Sequence, residues 1–177
     1  MTQGLDRASV RMMSPLPSTS PPELDPQPVS GGFVVAYTAA QIGAFIGFIP
    51  LLTLLLPLKA AAIAPAGKAE LLALVALWGA VTAGLANVFA GVLSDRARQG
   101  AGGRWRWMAT GLVATAASYG LIAIAQTPWA LLMAVVALQI SLNLMLNPLA
   151  AVLPDEVPDR QKGFVSGFAG LAYPVAS

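Results

Sequence analysis

The chain has 177 residues, of which 56% are hydrophobic and only 10% charged, whereas an ordinary soluble domain carries about a quarter charged residues. Ten Lys and Arg against eight Asp and Glu leave a net charge of +2, too little to point to nucleic-acid binding. With no Cys and no His, disulfides, thiolate nucleophiles, imidazole bases and the commonest metal ligands are missing, so no catalytic residues, metal site or cofactor are expected and the chain does not read as an enzyme.

Residues 1–32 hold Pro15, Pro17, Pro21, Pro22, Pro26 and Pro28 among Ser, Thr and acidic residues. Such a mixture buries too little apolar surface to offset its ordering entropy, and the expectation is a disordered tail. The prolines after Arg7 and Arg11 also break any signal-peptide run.

Residues 33–58 then run for 26 positions without a charge. At 1.5 Å per residue that crosses a hydrocarbon core of about 30 Å, with tilt or a kink at Pro50. Further uncharged runs at 71–94, 107–126 and 129–153 predict a second, third and fourth span. Thr127 and Pro128 make a very short connection, so the third and fourth spans should be antiparallel neighbours. A fifth apolar segment at 163–177 is too short to cross, which reads as a chain stopping inside a helix. The fold expected is therefore an all-α integral membrane bundle with four complete transmembrane helices and the start of a fifth.

Assigning alternate loops to alternate sides puts Arg7, Arg11, Arg96, Arg98, Arg104, Arg106, Arg160 and Lys162 on one side and only Lys59 and Lys68 on the other. Basic residues collect in cytoplasmic loops, so the N-terminus is expected in the cytoplasm.

Two loops on the basic side carry information. The first runs from Gly91 through Asp95, Arg96, Arg98, Gly102 and Arg104 to Trp107. Gly91 would let a neighbouring helix come close, and the later glycines permit a tight turn. A carboxylate at a helix C-terminus opposes the helix dipole, so Asp95 needs a partner. The arginines alone would also serve as topology signals and anchors for anionic lipid.

The second loop contains Pro154, Asp155, Pro158, Lys162, Gly163 and Gly167. Pro154 and Pro158 are expected to end the fourth helix, Asp159 to favour the start of the fifth, and Gly163 and Gly167 to let that helix pack closely.

These residues resemble two loops of the major facilitator superfamily (MFS). The first matches the loop between helices two and three, through Gly91, Asp95, Arg96, Gly102 and Arg104. It is most similar to the branch of glycoside-cation symporters and sucrose-type carriers, with Arg98 and Trp107 also in register, although Ala97, Gly103, Trp105 and Arg106 depart from it. The second is similar to the loop between helices four and five, with Lys162 in place of an arginine.

The resemblance implies an MFS-type helical bundle and transport of a small solute, a sugar by the branch, by symport across the plasma membrane. Asp95 would be the central residue of a conformational latch supported by Arg96 and Arg104. The partners implied are the solute, the lipid bilayer and a missing C-terminal half in the same or another chain, with no nucleic acid. The chain then reads as a fragment of a twelve-helix carrier. The alternative is a non-transporting membrane protein, truncated or dependent on a partner.

Within the spans no carboxylate or cation marks an ion relay. Polar candidates for lining a solute path are Tyr37, Gln41, Asn87, Gln139, Asn143 and Asn147, with Thr38 and Tyr119 beside them. Gln139, Asn143 and Asn147 recur every four residues and so form one stripe of a helix, facing a cavity or another helix. The Gly43 and Gly47 pair reads as a packing face.

Overall fold

Ser30 opens the first helix: its Oγ accepts the Phe33 N–H at 3.2 Å, satisfying one of the free amides at the helix start. The computed structural model describes residues 27–97 and 103–177, with side chains for all of these except 93–97 and 103–104. No strand occurs among them; every regular element is a helix. These are α1 (Gly31–Pro50), a π-helical turn (Leu51–Leu55), α2 (Leu56–Ile63), α3 (Lys68–Ala97), α4 (Gly103–Ile124), α5 (Pro128–Glu156), α6 (Asp159–Ala169) and α7 (Ala172–Ala176).

Four stretches are long and apolar enough to cross a membrane, namely Gly31–Ile63, Lys68–Val92, Trp105–Ile124 and Pro128–Glu156. They correspond to the four expected spans, but each is longer at one or both ends. The first continues past Leu58 because Lys59 donates from Nζ to the Ala123 carbonyl at 2.6 Å, so its charge is satisfied within the bundle. A cation there also complements the C-terminal end of α4. The fourth begins with Thr127 as a cap, its Oγ1 accepting from the Ala130 N–H at 3.2 Å, and Pro128 in the first turn, where a missing N–H costs nothing.

Pro154 does not end the fourth helix. It lies inside α5, which continues to Glu156 and stops at Val157, whose backbone is extended at φ −101° and ψ 123°. The following Pro158 forces that conformation, so the second proline sets the boundary. The expected fifth segment begins earlier than residue 163, at Asp159, and turns at Gly170 and Leu171 before the short α7.

Helix α5 is the most buried of the spans and packs on both α3 and α4. Its seam with α4 is the tightest in the bundle. A Cβ placed on Gly111 would lie 2.7 Å from the Met145 amide nitrogen and 2.9 Å from its Cα, so only glycine lets the two backbones meet there. Ser118 and Ser141 face each other 3.3 Å apart on the same seam, each also bonded to its own helix through Ala114 O and Ala137 O.

Two apolar cores stack along the bundle. One joins Leu51, Leu56 and Ala60 of the first span to Val75, Leu131 and Leu138; the other joins Val34 and Tyr37 to Leu149, Val157 and Val165. Large apolar side chains such as Val35, Val88, Phe89 and Ile124 point outward. In water they would form adhesive patches, whereas in a bilayer they meet their own kind of solvent. Exposed Trp105 and Trp129 begin α4 and α5 at opposite ends, the places where indoles anchor at a membrane surface.

Candidate functional site

The loop joining α3 and α4 begins in regular helix. Asp95 and Arg96 sit in the last turn of α3 and Arg104 in the first turn of α4, while Arg98 and Gly102 lie outside the described residues. Among the described residues, an added Cβ at Gly91 would meet nothing within 4 Å, so none of them makes the close approach expected there.

At the same end of the bundle, the loop after α5 is held by two contacts. Lys162 Nζ pairs with Asp159 Oδ1 at 2.6 Å, and this hydrogen bond with the lysine charge holds the exposed Asp159 carboxyl below the usual carboxylate range. The Gln161 amide grips the backbone of Val29 at both ends. Its Oε1 accepts the Val29 N–H at 2.8 Å and its Nε2 donates to the Val29 carbonyl at 3.4 Å. This fixes the segment before α1 against the start of α6, so Val29 belongs to the folded body, although it falls in the part of the sequence read as a tail. The remainder of that tail up to residue 26 lies outside the described residues.

Gly163 and Gly167 do not pack closely. Both are exposed with nothing within 4 Å of an added Cβ, and α6 buries only Val165. Asp155 is half-buried in the last turn of α5, and Pro158, fully buried, is the N-cap residue of α6.

The polar residues of the spans fall into separate groups. Gln139 Nε2 donates to the Gly79 carbonyl of α3 at 3.2 Å, tying two helices together. Asn143 and Asn147 donate from Nδ2 to the carbonyls of Gln139 and Asn143 at 2.8 and 3.0 Å, within α5 itself. The stripe is thus real, and its first member does the interhelical work. On α1, Gln41 donates to the buried Tyr37 hydroxyl at 3.0 Å. Asn87 is exposed on α3. Among the described residues no hydrogen bond joins the α1 pair to the α5 stripe.

A cavity of about 560 Å³ opens elsewhere, between α1, α4 and α5, with Gly43, Gly47, Met108, Leu112, Tyr119 and Met145 on its walls. None of the polar stripe lines it. Gly43 is open toward this space and makes no close helix contact, so of the Gly43 and Gly47 pair only Gly47 is approached, by the Tyr119 hydroxyl. Sequence reasoning read Lys59 only as a loop charge and did not single out Gln161, Gly111 or the Ser118 and Ser141 pair. Two small hydroxyl residues on neighbouring apolar helices were a readable signal for the last; nothing in the pattern separates Gly111 from the other glycines.

Comparison with known proteins gives one positive result. The sequence model of the Major Facilitator Superfamily matches residues 17–177, nearly the whole chain. No curated protein and no solved structure matches.

Proposed function

The chain belongs to the major facilitator superfamily, and on that footing we propose that it supplies helices of the first half of a carrier that moves a small solute across the cell membrane by alternating access. The family's members are secondary transporters, and the match over 17–177 on a bundle of four apolar spans is the observation that carries this reading. In such carriers two helical halves rock about a site near the bilayer midplane. The partner for these helices is a second half, in the same chain or another.

The two ends of the bundle support an orientation. Val29 and Gln161 meet at one end, with Arg160 and Lys162 flanking Gln161 in sequence and Arg106 near the start of α4, while Lys59 reaches Ala123 at the other. The basic end faces the cytoplasm. There Asp95 acts as the latch that engages the second half, with Gly91, Arg96, Arg98, Gly102 and Arg104 completing its loop, and Pro154, Asp155, Pro158, Lys162, Gly163 and Gly167 form the matching loop between helices four and five.

The solute path runs along the α5 stripe, and Tyr37 and Gln41 on α1 and Asn87 on α3 are the other polar side chains of the spans proposed to serve it. Asn143 and Asn147 each spend one amide N–H on their own helix, which leaves a second N–H and the side-chain carbonyl. A donor and an acceptor at each position suit a solute rich in hydroxyl groups, and the resemblance of 95–107 to glycoside carriers supports a sugar. Uptake of a panel of labelled sugars and metabolites into membrane vesicles tests the reading: saturable uptake that falls in Asn143→Leu supports it, and uptake unaffected by Asn143→Leu and Asn147→Leu removes the stripe from the path.

A further inference from the structure

The first span is continuous in helix but not in hydrogen bonding. Pro50 has no N–H, so the Ile46 carbonyl loses the donor a regular helix would give it. The Leu51 N–H turns to Phe48 O, and the Leu56 N–H bonds to Leu51 O five residues back, the signature of a π turn. The Gly47 carbonyl, passed over by Leu51, accepts from the Tyr119 hydroxyl of α4 at 2.7 Å. Thr53 Oγ1 donates to the Ile49 carbonyl at 2.9 Å in the same turn.

The two sides of this joint pack in different cores, both of which α5 runs through. Above it, Leu51, Leu56 and Ala60 pack in the core built on α3 and α5; below it, Val34 and Tyr37 pack with Leu149, Val157 and Val165, and α1 contacts α6 and α7. The cavity of about 560 Å³ lies beside the lower segment, where Gly43 faces open space. On its wall Thr115 is only 5% exposed, yet its Oγ1 has no hydrogen-bond partner among the described residues. A buried hydroxyl left unpaired is costly, so this wall of the cavity is not fully satisfied in the arrangement seen.

We infer that residues 50–55 are a hinge in the first span, that the cavity is the room into which the lower segment swings, and that the Tyr119 hydroxyl is the catch that holds the hinge in the arrangement seen. Tyr119 is then a positioning residue: it acts on the conformation of α1 through the Gly47 carbonyl. The inference extends the transport reading, because a hinge lets one segment of a helix move within a half while the rest of the bundle stays packed. Its test needs no solute, so failure to find one leaves it standing.

The absence of Cys makes the chain suited to paired spin labels. Val35→Cys and Leu58→Cys place labels on exposed sites, 70% and 59% accessible, on either side of the joint. By helical rise they lie about 35 Å apart, within reach of pulsed dipolar spectroscopy. A second pair at Leu74 and Val92 on the uninterrupted α3 is the reference. In the full chain in lipid nanodiscs, Tyr119→Phe should raise the population of the released distance about fivefold, the factor for one hydrogen bond of about 1 kcal/mol. The α3 distance should stay fixed. Pro50→Ala restores a helical donor and should narrow the Val35 to Leu58 distribution. A distribution in Tyr119→Phe that superimposes on wild type, or equal broadening of the α3 pair, overturns the hinge. Should Tyr119→Phe fail to insert, Pro50→Ala decides alone: narrowing supports the hinge and an unchanged width overturns it.

Discussion

Replacing Gly111 by Ala puts a methyl group where the α5 backbone already lies. The new Cβ would sit 2.7 Å from the Met145 nitrogen and 2.9 Å from its Cα and Cβ. Ordinary contact begins near 3.5 Å, so the helices must part locally by roughly 0.8 Å. Neither neighbour is the far end of a flexible side chain, so neither can yield without moving the helix. Overpacking of this kind costs typically 1–3 kcal/mol. The Ser118 and Ser141 hydroxyls, 3.3 Å apart on the same seam, would also be drawn out of hydrogen-bond range, which adds about 0.6 kcal/mol for an interhelical bond in a membrane. A loss of about 2 kcal/mol is expected, read from reversible unfolding in mixed micelles by far-UV circular dichroism. Gly43→Ala is the control, because its added Cβ meets nothing within 4 Å, and a change within about 0.5 kcal/mol is expected there. Equal stability of Gly111→Ala and wild type would refute the tight seam.

Further outcomes follow from single contacts. Lys162 lowers the Asp159 pKa by hydrogen bond and charge, so carboxyl NMR should find Asp159 titrating below the ordinary range, and Lys162→Met should return it. Because the folded pKa is depressed, the pair's contribution to stability is present above the unfolded pKa and is lost as pH falls through the folded one. Gln161→Ala frees both ends of its grip on Val29, and hydrogen exchange at the Val29 amide should accelerate; unchanged protection would show that something else holds this segment. Lys59→Met removes the cation from the Ala123 carbonyl, which should cost about 0.3–1 kcal/mol and fray the last turn of α4 in hydrogen exchange, with Lys59→Arg largely restoring it.

The four spans were legible because runs of uncharged residues long enough to cross a membrane have few other uses. Their ends were less so. The charge of Lys59 read as a boundary, but a partner across the bundle lets the helix continue through it. Pro154 read as a terminator, yet a proline in the last turn removes only one backbone bond, and it was the conformation demanded before Pro158 that ended the helix.

Glycines were the hardest residues to read. Gly91, Gly163 and Gly167 looked like packing positions and have nothing close to them among the described residues, while Gly111, which nothing in the pattern marks, is where two backbones meet. A glycine's role depends on what lies opposite, and that is a tertiary fact. The four-residue stripe of Gln139, Asn143 and Asn147 was visible from periodicity alone, but which amide crosses to α3 and which turn back on α5 depends on how close each lies to its neighbour. The hinge at Pro50 was foreseen only as a kink; its catch, Tyr119, lies 72 residues from Gly47 along the chain.

The central claim is that Asp95, in the loop after the second span, latches this half of a carrier to its partner. The direct measurement is solute uptake by membrane vesicles from the source cells, comparing wild type with Asp95→Asn at equal membrane insertion. Saturable uptake that falls at least tenfold in the variant, about 1.4 kcal/mol or more in coupling, is the result predicted. Equal uptake by the two would contradict the latch, and no carrier-dependent uptake of any solute in the panel would contradict the transport reading itself.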